Sequence, residues 1–293
     1  MKNLASRLGS SAVLIGLVIA TLFYFPLWTY ALVICGFVTA ALYEFFTMVR
    51  HRGILVHRPL NVGLGVVFTI LVAWRSMVEP GLVPTPILGQ GATAISWMWD
   101  IFWPATIVII FIRQFTRKNT FEALGGLATT LFGLAYIAAL FSYFFYIRTT
   151  KNPDQGAWLV FYLILVTKMG DVGAYAVGNL LGRHTLVPRI SPKKTIEGFV
   201  GAVVLSTVTA VLAQPLLGQQ KIFGQPASPL LSVILGIILG ICGQLGDLAE
   251  SLLKRDCQVK DTGKLMPGLG GVLDVIDSLL FTAPVLYGIF IYG

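Results

Sequence analysis

This sequence is short of charge. Asp, Glu, Lys and Arg make up 12% of its 293 residues, about half the share usual in soluble domains. That excludes an ordinary water-soluble fold. Cysteine is rarer: Cys35, Cys242 and Cys257 follow no ligand spacing, so neither a disulfide framework nor a zinc site is expected. The three histidines, His51, His57 and His184, have no acid at ligand spacing. There is no His-Glu-x-x-His, no Gly-x-Ser-x-Gly and no Walker P-loop, which argues against a zinc protease, an esterase and a standard ATPase. No internal repeat is evident. The net charge of +8 has no basic soluble domain behind it, so no nucleic-acid partner is expected.

What the chain has instead is hydrocarbon: 56% hydrophobic residues and a mean hydropathy of +0.81. Spans need about 20 apolar residues each. Nine runs qualify as candidates, at 10–26, 28–49, 60–78, 93–113, 121–147, 157–180, 196–217, 228–253 and 270–292. The first follows Lys2 and Arg7 like a signal peptide, but no cleavage pattern follows, so a retained helix is expected. The basic residues concentrate at 2–7, 50–58, 113–118, 183–194 and 254–264, which hold 16 of the 21. By the positive-inside rule the N-terminus is cytoplasmic and the C-terminus outside. The expectation is an all-α integral membrane protein, a bundle of about nine transmembrane helices. Residues 1–150 would supply five spans and 151–293 the four that carry the polar motifs, as one integrated unit.

Six of the thirteen acids fall within residues 247–278. Acids beside membrane spans are costly and point to function. Asp247, Ser251 and Lys254 stand at i, i+4 and i+7, on one helical face, with Glu250 flanking it. Asp274 and Asp277, at i and i+3, open the last span. Such hard oxygen ligands suit Mg²⁺ or a similar ion completed by substrate phosphate. Between them, Gly268, Gly270 and Gly271 offer a bare backbone, an expected cradle for an anion.

Two further groups join this reading. Ser191-Pro192-Lys193-Lys194-Thr195-Ile196-Glu197-Gly198 opens the seventh span. Its Ser191, Lys193, Lys194 and Thr195 can clamp phosphates, and Thr195 can cap the helix. Within the sixth span Lys168 and Asp171 are spaced to pair, Asp171 leaning toward a site role and Asn179 falling near the same mouth. Glu44 and Asp100 are isolated in earlier spans and read as helix-packing or interfacial residues. An ion-coupled transporter or a different membrane lipid phosphotransferase is the alternative. The charges cluster at cytoplasmic ends rather than the midplane, and no inverted repeat is visible.

Ser251-Leu-Leu-Lys254-Arg255, then Lys260-Asp261, then Pro267-Gly-Leu-Gly-Gly-Val-Leu-Asp274-Val-Ile-Asp277 resembles, in spacing throughout, the signature of the phosphatidate cytidylyltransferases (CDP-diacylglycerol synthases). The 191–198 run and Gly246-Asp247 also look like family motifs. Leu269 stands where that signature has His, Val275 where it has Arg, and Met266 replaces its usual Leu, Ile or Phe. The resemblance implies transfer of CMP from CTP to phosphatidate, giving CDP-diacylglycerol and pyrophosphate for phospholipid synthesis. It implies Mg²⁺, with room for a second metal ion, held by Asp247 and Asp274. Lys193, Lys194, Lys254, Arg255 and Lys260 would offset phosphate charge, Ser251 and the 267–271 backbone would orient oxygens, and Asp171, Glu197 and Asp261 would support them. The expected setting is a bacterial inner membrane, multi-pass, with the site facing the cytoplasm and membrane lipids around it. A homodimer is left open.

Overall fold

The computed structural model describes residues 2–78, 97–116, 123–150, 153–218, 221–222 and 224–292. The Pro/Gly-rich 79–92 loop and the side chain of Asp100 lie outside what is described. The chain runs through α1 (Lys2–Phe23), α2 (Leu27–His51), α3 (Arg58–Val78), α4 (Trp97–Phe115), α5 (Ala123–Gly133), a π-helical turn (Leu134–Ala139), α6 (Tyr143–Arg148) and α7 (Pro153–Leu181). A hairpin follows, β1 (Thr185–Val187) with β2 (Ser191–Thr195), and then α8 (Ile196–Leu212). After a 3₁₀ turn and a second small hairpin, β3 (Lys221–Ile222) with β4 (Gln225–Pro226), come α9 (Pro229–Asp256) and α10 (Val272–Tyr292).

Among the described residues, six helical stretches are long and apolar enough to cross a membrane: Leu27–His51, Arg58–Val78, Ala123–Arg148, Gln155–Leu181, Pro229–Asp256 and Val272–Phe290. Gly9–Phe23, Ile101–Phe115 and Ile196–Leu212 are apolar but shorter. Nine helical stretches thus match the nine expected runs in position, and six meet the length a span requires. The run at 196–217 is cut at Leu212, and a 3₁₀ turn containing Pro215 follows, since proline cannot donate to a continuing helix. Large apolar side chains such as Trp28, Leu32, Ile70, Val108, Val204 and Leu230 face outward, the surface a lipid solvent calls for.

The helical bundle carries short strands as well: Ser191–Thr195, just before the seventh run, is a strand antiparallel to Thr185–Val187. Helix begins only after Thr195, whose hydroxyl accepts from the Gly198 amide at 3.1 Å, the expected N-cap.

The site-bearing half is a stack of α7, α8, α9 and α10, with α2 packed against α10. Small residues let these backbones approach, as membrane helices require. Gly246 is the telling case. A side chain there would collide with the backbone of Asp277 and Ser278, so only glycine brings the next residue of α9, Asp247, up to α10. The apolar core is widest elsewhere, around Phe45, Phe46, Phe144, Phe145 and Tyr162, all fully buried.

Candidate active site

Three ammonium groups organise the polar end of the stack. On α7, Lys168 Nζ donates to Asp171 Oδ2 at 2.9 Å and to Ser278 Oγ of α10 at 3.0 Å, while Ser278 Oγ donates back to Asp171 Oδ2 at 3.1 Å. On β2, Lys194 Nζ lies 2.7 Å from Asp247 Oδ2. On α9, Lys254 Nζ pairs with Glu250 one turn earlier and with Asp274 Oδ1 of α10 at 2.7 Å. The i, i+3 reading of Lys168 and Asp171 is met. The Asp247–Lys254 face is met too, with Glu250 at its centre.

Asp274 is held by protein donors. Its Oδ2 accepts from the Thr262 amide at 3.1 Å, the Thr262 hydroxyl at 2.9 Å and the Gly271 amide at 2.7 Å, and Lys254 takes the other oxygen. The carboxylate is spoken for on both sides. The acids that converge are Asp247, Glu250 and Asp277, which each offer an oxygen within 4.8 Å of the others. Glu250 is fully buried and Asp277 6% exposed. Of the expected pair, Asp247 belongs to this trio, while Asp274 lies beside Glu250 and is engaged by protein donors.

The trio suits a divalent cation. Glu250 Oε1 is buried and receives no donor, while the Lys254 ammonium takes its other oxygen and Asp274 stands beside it. Counting the pairs above, five carboxylates (Asp171, Asp247, Glu250, Asp274, Asp277) face three ammonium groups. Two negative charges are left over when all are ionised, in a place too dry to hold them unaided. Hard oxygen donors with that excess fit Mg²⁺ better than a softer metal.

Beside the trio opens a cleft of about 290 Å³, lined among others by Asp171, Asn179, Lys193, Lys194, Thr195, Gln244 and Asp247. Lys193 is exposed at its rim. Asp247 belongs both to this cleft and to the trio. Asn179 falls at the mouth, as expected. Gln244, buried and one turn before Asp247, was not singled out, although the i, i+3 spacing on α9 places it there.

Several expected phosphate ligands do other work. Met266 O accepts from the Leu269 and Gly270 amides, Gly270 O accepts from Met266, and Gly271 N serves Asp274. The amides of the expected anion cradle are thus largely used within the loop. Gly268 and Gly270 stand at φ 78° and 103°, so these glycines make a tight turn possible. Arg255 Nε donates to Ile190 O at 3.0 Å, tying α9 to the β1–β2 turn. Glu197 accepts from the Arg183 and His184 amides and lies 2.6 Å from His184 Nδ1, clamping the start of the same hairpin. Ser251 is buried on α9. Ser191, Lys260 and Asp261 do not line the cleft, and the latter two are exposed on the 257–271 loop.

Glu44 was missed. It is 3% exposed on α2, and its carboxylate accepts from the Val272 and Leu273 amides, each at 3.0 Å. It caps α10 from another helix, where the helix dipole favours an anion. The spacing of a lone Glu within an apolar run could not reveal partners so far along the chain.

The profile of the cytidylyltransferase family matches residues 5–292. The chain belongs to that family. As a family member it is 36% identical over 250 residues to a phosphatidate cytidylyltransferase of Bacillus subtilis, covering 85% of this chain and 84% of that one. A phosphatidate cytidylyltransferase of Mycobacterium leprae is 31% identical over 299 residues, 98% of this chain and 87% of the relative. The uncharacterized protein YnbB of Escherichia coli is 40% identical over 162 residues, 55% of this chain, and the match spans half of YnbB's length. For this cytidylyltransferase-family chain, Leu269 and Val275 both lie half-buried in the turn and first helical turn that carry Asp274.

Proposed function

We infer that the chain is a membrane phosphatidate cytidylyltransferase. It joins the phosphate of phosphatidate to the α-phosphorus of CTP, forming CDP-diacylglycerol and releasing pyrophosphate. The observation that carries this reading is the meeting of two unlike features at Asp247: a cleft edged by Lys193 and Lys194, and an acid trio, two of its members buried, in a cluster where carboxylates outnumber ammonium groups by two. Family membership and the phosphatidate cytidylyltransferases among its relatives support it.

The nucleophile is a phosphate oxygen that is already anionic, so no strong base is required. The barrier is bringing two anions together and letting pyrophosphate leave with the electrons of the broken P–O bond. Lys193 and Lys194 take CTP phosphates at the cleft. Asp247, Glu250 and Asp277 would hold a divalent cation, read as Mg²⁺, which would offset charge on the phosphates and on the leaving group. Lys254 holds Glu250 and Asp274 in place, and Asp274 holds Thr262 and Gly271. Lys168 and Ser278 fix Asp171 at the cleft floor. Phosphatidate enters from the bilayer and CTP from the cytoplasm, through a protein of about nine spans with its N-terminus inside.

The test is direct. Purified protein in nanodiscs, given labelled CTP, Mg²⁺ and phosphatidate, is expected to release pyrophosphate and form a labelled CDP-lipid. No CDP-lipid from the intact protein, under conditions where a known family enzyme makes it, would sink the reading. Solute flux without nucleotide would instead favour transport.

A further inference from the structure

Tyr136 sits in the π-helical turn Leu134–Ala139, in the N-terminal half that also supplies the Glu44 cap. π-Turns are rare and recur at functional sites. The ring is 6% exposed and is held on two sides, stacked on Phe132 (5.4 Å, 11°) and edge-on to Phe281 of α10 (6.3 Å, 87°). Phe281 lies one turn beyond Asp277. The hydroxyl is buried and has no hydrogen-bond partner, although a buried tyrosine normally finds one. The i, i+4 spacing puts Asp277 and Phe281 on one face of α10, so the ring packs one turn from a trio acid. A buried, unpartnered donor thus sits on a ring packed beside an acid cluster whose five carboxylates outnumber its three ammonium groups.

We propose that Tyr136 is a positioning residue of the site, its hydroxyl donating to an oxygen bound at the cation that Asp247, Glu250 and Asp277 hold. That oxygen belongs to water or to a phosphate. The inference rests on the trio holding a cation, and it names the wall opposite α9 and α10. A phenol suits the place. It donates one hydrogen bond and brings no charge. Groups that orient what a metal binds typically govern affinity by 10- to 100-fold without touching the metal.

The experiment is Mn²⁺ binding, read by electron paramagnetic resonance on the full chain in detergent, with Tyr136→Phe, Phe281→Leu and the Asp277→Asn control. Tyr136→Phe keeps both ring contacts and removes only the hydroxyl. It is expected to weaken Mn²⁺ binding by about 10-fold while metal-free melting stays as in wild type. Phe281→Leu disturbs the packing, keeps the hydroxyl and is expected to bind Mn²⁺ within about 2-fold of wild type. A loss seen without CTP or phosphatidate assigns the oxygen to water, and a loss seen only with one of them assigns it to that phosphate. The proposal is overturned if Tyr136→Phe binds Mn²⁺ as wild type does under all three conditions, or if Phe281→Leu loses as much. Because binding is read apart from turnover, an intact protein that makes no CDP-lipid overturns the proposed function and leaves this result standing.

Discussion

Glu44 and Thr262 meet across 218 residues of chain, the Thr262 hydroxyl lying 3.2 Å from Glu44 Oε2. The same hydroxyl lies 2.9 Å from Asp274 Oδ2. One proton therefore serves two carboxylates, one capping α10 from α2 and the other on α10 itself. The helix that opens the site is positioned from both halves of the chain.

Glu44→Gln replaces one of two acceptor oxygens with an NH₂ that faces backbone N–H donors. Leaving a buried donor unsatisfied costs about 1–3 kcal/mol. Melting in detergent is expected to fall accordingly, and CDP-lipid formation to fall by about 10-fold as the α10 start loosens. Wild-type melting and turnover would show that the cap is dispensable.

Lys254→Met leaves Glu250 and Asp274 without their shared ammonium. Breaking a buried pair from one side typically costs about 3–5 kcal/mol, so a sharp loss of folded protein is expected. Lys254→Met with Glu250→Gln removes part of the uncompensated charge and should recover part of that loss. Thermal melts of both variants decide it, and equal instability would count against the pairing.

Removing divalent cations with a chelator should lower the melting temperature. Returning Mg²⁺ at about 100 times its Kd should restore about 2.7 kcal/mol. Asp277→Asn is expected to abolish that response. Asp274→Asn is expected to keep it, because protein donors already occupy that carboxylate. The reverse pattern would restore Asp274 as the ligand.

Lys194→Met should raise the KM for CTP by about 10- to 100-fold, the value of one charge-assisted contact to phosphate at about 1.5–3 kcal/mol. Arg255→Gln should leave that KM within about 2-fold and lower stability modestly, since Arg255 serves Ile190 O. Steady-state kinetics separates the two basic residues that motif reading treats alike.

Much of this was legible in the order of residues. Apolar runs located the helical stretches because span length is set by the bilayer. Spacings of three and four gave Lys168–Asp171 and the α9 face, because those pairs are local. What escaped is what folding brings from afar. Whether Lys254 takes Asp274, leaving Asp277 for the trio, depends on how α10 rotates against α9, and both acids satisfy the same i, i+3 pattern. The five-residue strand Ser191–Thr195 exists because Thr185–Val187 pairs with it, not because Ser-Pro-Lys-Lys-Thr prefers extension. Tyr136 carries no local mark, since a tyrosine in an apolar run reads as packing until its neighbours are known.

Asp247 is held by Lys194 on the cleft side and meets Glu250 and Asp277 on the other. A polyphosphate that draws the Lys194 ammonium to itself releases that carboxylate to a cation, and a cation on the carboxylate releases the ammonium to a polyphosphate. Each ligand then strengthens the other by the same factor, as reciprocity of binding free energies demands. One shared side chain is enough to make nucleotide and metal arrive as a pair.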